Sequence, residues 1–133
     1  MNPKYAQFIS GQFAQYAATL RYDDLPDDVR KLAHLVLLDT LGCAMAGAGT
    51  DEVVQMRRAM LQAYGCNEGS GGDSLYWGTT EKAPLPLAAL ANGAAVHARE
   101  IDDFGGCAHS GSVVIPAALG IAARTGATGH VSC

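Results

Sequence analysis

Three carboxylates and two imidazoles crowd the segment H-A-R-E-I-D-D-F-G-G-C-A-H-S-G-S-V-V-I-P, from His97 to Pro116, whose other residues are mostly small. Carboxylates beside an imidazole suit proton transfer, because a neutral histidine takes up a proton near neutral pH and an acid can orient it or complete an acid/base pair. Glu100, Asp102 and Asp103 follow an alanine-rich helical pattern, and the Gly105-Gly106 pair lets the chain turn back with His109 at its tip. His109 stands just before a helix start marked by Ser110 and Ser112, where free amides and the positive dipole end disfavour a charged ring. On a continuous helix Glu100 and Asp102 point about 200° apart, so one of them faces the reacting atom and the other supports it. A structural reading competes: Asp102 and Asp103 close one helix, and Ser110-Gly111-Ser112 caps the next. His97 falls on an apolar stripe with Leu90, Ala94 and Ile101, where a hydrogen-bonded core histidine outweighs a ligand. His34 and His130 have no supporting neighbours.

The elements that must position these groups read as helices. Phe8, Ile9, Phe13, Tyr16, Ala17 and Leu20 recur at helical spacing, which predicts an amphipathic helix over about 4–20 whose stripe needs a partner. Pro26 followed by Asp27 and Asp28 starts a second helix, apolar nearly all round and therefore expected at the centre. Within it Asp39 must reach a hydrogen-bond partner or a solvated notch. Thr50, with Asp51 and Glu52 behind it, caps a third helix whose inner face is Val53, Met56, Arg57, Met60, Leu61 and Tyr64; the pair Arg57-Arg58 otherwise reads as a solvated face. Residues 65–73 form a loop without the lysine or helix context of a phosphate-binding turn. Residues 75–78 read as a short extended piece, and Pro84-Leu85-Pro86 opens a fourth helix expected to run from about Leu87 to Asp103. A fifth follows to about Arg124, with Pro116 giving up one early hydrogen bond.

Composition bounds the function. The 133 residues are enough for one domain, yet 49% hydrophobic against 17% charged leaves the helices short of polar faces, so much of the surface should be covered by something. A formal net charge of -4 with nine scattered Lys and Arg argues against nucleic acid. No apolar run is long enough to span a membrane, and Met1-Asn2-Pro3-Lys4-Tyr5 lacks a signal-peptide core, so a soluble cytoplasmic protein is expected. Cys43, Cys66, Cys107 and Cys133 are widely spaced and read as reduced thiols. Cys107-x-His109 supplies two potential ligands where a zinc site uses three or four, so neither metal nor cofactor is expected.

The runs N-G-A-A-V-H-A-R-E-I-D-D and H-S-G-S-V-V-I-P-A-A-L resemble the MmgE/PrpD family, which includes 2-methylcitrate dehydratase and cis-aconitate decarboxylase. R-Y-D-D-L-P-D-D-V at 21–29, L-D-T-L-G-C-A-M-A-G at 38–47 and Y-W-G at 76–78 extend the likeness over nearly the whole chain. The resemblance implies an all-α, multi-helix N-terminal portion of the family's helical domain, residues 1–133 forming a partial domain from which the α+β lid is absent. It implies a homodimer or other homo-oligomer acting on di- or tricarboxylates without a required metal. The acid and base of dehydration or decarboxylation would be His109 with Asp102 or Glu100, and Asp103, Ser110, Gly111 and Ser112 would contact substrate. Glu100 stands where many members have aspartate, and His109-Ser110-Gly111 where His-Pro-Gly is common. Family enzymes are several times longer, and the cations that would neutralise a polycarboxylate are expected beyond Cys133, so the 133 residues alone should be nearly inert. Two other functions fit the same residues: an isomerase or epimerase of a related dicarboxylate, and a non-enzymatic helical module that associates through apolar faces.

Overall fold

The computed structural model describes residues 8–66, 71–105 and 108–127. They fold as an all-α assembly with one short ribbon: α1 (Ile9–Thr19), α2 (Asp27–Gly47), α3 (Asp51–Ala63), β1 (Ser74–Leu75), β2 (Lys82–Ala83), α4 (Leu85–His97) and α5 (Ser110–Thr125). The helices begin where their first turns carry negative charge, Asp27 and Asp28 in α2 and Asp51 and Glu52 in α3, matching the positive end of the helix dipole. Thr50 is the N-cap of α3 in extended conformation, although its buried hydroxyl makes no capping bond. Pro84 precedes α4 and Pro86 sits in its first turn, where a missing N–H is harmless. α5 ends on Gly126 at φ 66°, a left-handed position that glycine adopts without penalty.

The centre of the assembly is α4, not α2. Its Ala88, Ala91, Ala95 and Val96 are buried against α2, α3 and α5, and small side chains on every face let three neighbours approach one helix. Gly47 of α2 lies directly against the Ala95 carbonyl, and Gly93 of α4 against the Ser112 carbonyl, closer than any Cβ would allow. α2 joins the core only through its last two turns, with Thr40, Cys43, Ala44 and Gly47 buried, while Leu32, Leu35 and Leu38 are exposed. The stripe of α1 is likewise uncovered, with Phe13 and Tyr16 exposed. The expectation of a central α2 is corrected by the alanine-rich α4 taking the middle position, and the apolar stripe of α1 has no partner among the described residues.

Two core clusters flank α4. One joins Cys43, Ala44, Ala48 and Val53 to Ala95 and Val96; the other joins Leu61, Tyr76 and Ala83 to Leu87, Ala88 and Ala91, with Met56 and Met60 filling its edge. Tyr64, expected on the inner face of α3, is exposed beyond the second cluster. The ribbon β1–β2 is tied down by buried Asn92, whose Nδ2 donates to the Leu75 carbonyl at 3.0 Å and whose Oδ1 accepts from the Trp77 N–H at 2.9 Å. Arg57 is not on a solvated face: its Nη2 donates to the Ala48 carbonyl at 3.1 Å and its guanidinium lies over the Tyr76 ring at 5.4 Å. Asp39 is exposed, the solvated alternative of the two offered for it, and accepts a long contact of 3.9 Å from the Cys43 thiol. Among the described residues no single helix is long and apolar enough to cross a membrane.

Candidate active site

The fourth helix stops at His97, six residues before the expected Asp103, and the early stop creates the site. Asp102 is five positions after His97, which on a continuous helix would set their side chains about 140° apart. Instead the chain turns through Ala98 to Glu100, whose φ of 51° ends the helical path, and brings Asp102 back under the ring it follows. His97 Nδ1 and Asp102 Oδ1 share a hydrogen bond of 3.0 Å. The return toward α5 is closed by Gly105 and Ala108, which exchange backbone bonds of 3.3 and 3.0 Å, and Ala108 reaches φ 144° immediately before His109.

His109 is the N-cap of α5 and approaches the same carboxylate: its Nδ1 lies 3.3 Å from Asp102 Oδ1, without hydrogen-bond alignment. The two imidazole centroids are 4.4 Å apart at a tilt of 57°, and the Phe104 ring meets His109 edge-on at 5.3 Å. Ser112 holds the turn by donating its hydroxyl to the His109 carbonyl at 2.7 Å. The Asp102 side chain is 0% exposed, whereas His97 and His109 retain 45% and 29% of theirs. An acid sealed beneath two half-open rings cannot itself meet a solute; it can set ring orientation and tautomer. An ionised carboxylate only accepts, so the ring nitrogen facing it carries the hydrogen and Nε2 of a neutral ring remains the base. Asp102 Oδ2 is buried with no partner among the described residues.

Both rings open onto a cavity of about 620 Å³ between α4 and α5, lined by Leu90, Gly93, Ala94, Ala108, Ser112 and Val113 among others. No Lys or Arg lines it among the described residues. Cys43 lies behind the cluster, where burial first and the charges of Asp39 and Asp102 next push its thiol above the ordinary range. Burial likewise raises the Tyr76 phenol, with Arg57 opposing the shift.

The sequence candidates separate into three groups. His109 and Asp102 converge as expected. Glu100 does not join them: it is exposed on the turn, and its carboxylate makes no hydrogen bond or ion pair with a described residue. Of the expected substrate contacts, Ser112 lines the cavity, Ser110 is exposed, and Gly111 is buried where Asp103 Oδ1 and the Thr40 hydroxyl crowd its Cα. Asp103 therefore faces the first turn of α5 and not the cavity. Cys107, weighed as a metal ligand with His109, lies outside the described residues. His97 is the group that sequence reasoning set aside as a core histidine; its signal was an acid five residues downstream, visible only if the helix breaks between them.

The described geometry can be set beside known proteins. The MmgE/PrpD N-terminal domain profile matches residues 11–131. The chain is 32% identical over 111 residues to cis-aconitate decarboxylase of Aspergillus terreus, covering 82% of this chain and 22% of that protein. It is 31% identical over 124 residues to the cis-aconitate decarboxylase-like protein oryM of Aspergillus oryzae, covering 92% and 24%. Cis-aconitate decarboxylase of Mus musculus is 29% identical over 110 residues, covering 81% and 22%. The chain thus spans under a quarter of the length of these relatives. No solved structure matches it significantly.

Proposed function

We propose, from the premise that this chain belongs to the MmgE/PrpD family, that it carries the proton-transfer half of a lyase site acting on a di- or tricarboxylate, by dehydration or decarboxylation. The observation that carries this reading is the buried Asp102 carboxylate held between His97 and His109 at the wall of a cavity. Loss of carbon dioxide leaves an electron pair on carbon that must be protonated. Loss of water needs a proton taken beside a carboxylate and another given to the departing hydroxyl. Both demand an oriented base and acid. His109 takes or gives the proton through its open ring edge, and Asp102 lies buried beneath it, 3.3 Å from its Nδ1, while hydrogen-bonded to His97.

Among the described residues the cavity wall carries no Lys or Arg, and a polycarboxylate requires cations, so the complete site draws them from elsewhere. The exposed apolar faces of α1 and of the first half of α2 are of the kind that further helices, or a second copy in a homodimer, cover. The 133 residues alone then turn over neither cis-aconitate nor 2-methylcitrate at a useful rate, and the complete protein works in the cytoplasm.

The test is His109→Ala in the complete protein, assayed for loss of carbon dioxide from cis-aconitate and of water from 2-methylcitrate. The expected result is a fall in kcat of about 10² to 10⁴ with unchanged folding, the usual contribution of a general acid or base. Near-normal turnover would remove His109 from the mechanism. Exchange of substrate hydrogen with solvent, without release of water or carbon dioxide, would move the assignment to an isomerase or epimerase.

A further inference from the structure

We propose that His97, Asp102 and His109 form a binding site for a divalent first-row transition cation, with zinc as its representative, and that occupancy withdraws both imidazoles from proton transfer. The second half of this proposal rests on the lyase reading; the first does not.

One ligand atom from each of the three residues lies within 4.8 Å of the others. Two of the edges, 3.0 Å from His97 Nδ1 and 3.3 Å from His109 Nδ1 to Asp102 Oδ1, are ligand-to-ligand separations of the kind a cation needs. A tetrahedral ion with bonds of 2.0–2.1 Å sets its ligands about 3.3 Å apart. The two carboxylate edges already have this spacing, and the third, between the imidazoles, lies within 4.8 Å, so the rings need only close on each other to admit the ion in place of the hydrogen now shared by His97 and Asp102.

Hydrogen bonding alone accounts poorly for the cluster. It satisfies the His97 contact, but His109 Nδ1 is buried and misaligned, and Asp102 Oδ2 is buried without a partner among the described residues. Buried polar atoms are seldom left unpaired, and a carboxylate sealed at 0% side-chain exposure gains most from a positive charge beside it. A cation at this point takes up the His109 Nδ1 lone pair and offsets the charge of the buried carboxylate. The two rings stay partly open to the 620 Å³ cavity, which gives an ion a way in and leaves room for a water in the fourth position.

The donor set selects the ion. Two imidazoles and one carboxylate suit zinc, cobalt, nickel or copper, whereas magnesium and calcium prefer oxygen ligands throughout. The site is also braced: Phe104 packs edge-on against the His109 ring, and Ser112 fixes the His109 carbonyl. Such support preserves ligand geometry when the metal arrives.

The experiment titrates Zn²⁺ into this chain against a chromogenic chelator, with Co²⁺ as a spectroscopic probe. One ion per chain is expected. Asp102→Asn and His97→Gln, both close in shape to the residues they replace, should each weaken binding at least tenfold while the far-ultraviolet circular dichroism stays unchanged. Bound Co²⁺ should show ligand-field bands without thiolate charge transfer, and Cys43→Ser should bind as the parent does. Absence of saturable Zn²⁺ binding would overturn the proposal. So would binding that survives both substitutions, or one that needs Cys43 or carries a thiolate band. The two readings fail separately: metal binding with normal turnover in His109→Ala leaves the cation site and removes the lyase role, and the reverse pair of results does the opposite.

Discussion

Substituting Gly93 by alanine should drive α4 and α5 apart at the point where they carry the two histidines. A Cβ at position 93 would fall 2.5 Å from the Ser112 carbonyl oxygen. Pro116, four residues beyond Ser112, has no N–H to engage that carbonyl, so the oxygen is left directed at the neighbouring helix. The closest comfortable carbon-to-oxygen approach is about 3.3 Å, so the helices must separate by about 0.8 Å. The oxygen is helix backbone and a Cβ is fixed rigidly to its own, so no flexible side chain can swing away to relieve the contact. Overpacking of this kind costs about 1–3 kcal/mol, set against about 0.5–1 kcal/mol gained when alanine replaces glycine inside a helix. A net loss of about 1 kcal/mol remains, which lowers Tm by about 4 °C in a chain of this size. Gly42 supplies the comparison: it lies in α2 with nothing within 4 Å of its added Cβ, so Gly42→Ala keeps only the gain and should raise Tm by about 2–4 °C. Gly93 is four residues before His97, and Ser112 three after His109, so the wedge also loosens the site. A misplacement near 1 Å can reduce turnover about 10²-fold in the complete protein. Thermal unfolding followed by circular dichroism decides the matter. If Gly93→Ala melts at or above the parent, the helices do not meet at this carbonyl and the account of their apposition is wrong.

Two further outcomes test the frame around the site. Asn92→Leu keeps the volume but orphans the Trp77 N–H and the Leu75 carbonyl, and should cost about 2–6 kcal/mol at 1–3 kcal/mol for each buried group; an unchanged denaturation midpoint would show that the ribbon is not held by this side chain. Cys43, its thiol raised by burial and by Asp39 and Asp102, should react with iodoacetamide at pH 8 at least tenfold more slowly than half-buried Cys66, as peptide mapping would report. Because the folded thiol value lies above the unfolded one, any stability it contributes is intact below about pH 8.5 and declines as pH rises through the folded value. Equal labelling of the two cysteines would contradict the burial.

Helix starts were legible because they rest on local chemistry: Asp27 and Asp28, Asp51 and Glu52, and Pro84 mark first turns whatever packs around them. The convergence of His109 on Asp102 was legible for the same reason, since a pair of glycines after a run of acids permits a return of the chain. Which helix occupies the centre was not. α2 and α4 are both apolar nearly all round, and periodicity cannot rank them. The ranking comes from side-chain size: Ala88, Ala91 and Ala95 let neighbours approach α4 on several sides, whereas Leu32, Leu35 and Leu38 of α2 are left exposed. The end of α4 was hidden for a different reason. Alanine, arginine and glutamate after His97 are all good helix formers, so local preference argued for continuation. Tertiary contact with α5 overrode it, and with the helix extended on paper His97 and Asp102 pointed to different sides.

That override explains where backbone strain is found. Glu100 at φ 51° and Ala108 at φ 144° are the two non-glycine residues with positive φ among those described, and they bracket the segment that carries Asp102. Conformations of this kind cost about 1–3 kcal/mol each and persist only where the surroundings enforce them. The enforcement here is rigid: α4 and α5 are locked at Gly93 and Ser112, α2 and α4 at Gly47 and Ala95, so both ends of the segment are set before its own residues have any choice. A relaxed segment would let the carboxylate swing out to water and leave each imidazole to find its own orientation. Held as it is, the acid stays buried between rings whose outer edges face a cavity, and ring orientation becomes a property of the helix frame and not of the loop. Close helix packing through glycine and alanine and the placement of the acid/base groups are therefore one structural fact, which is why a single methyl group at position 93 should disturb both.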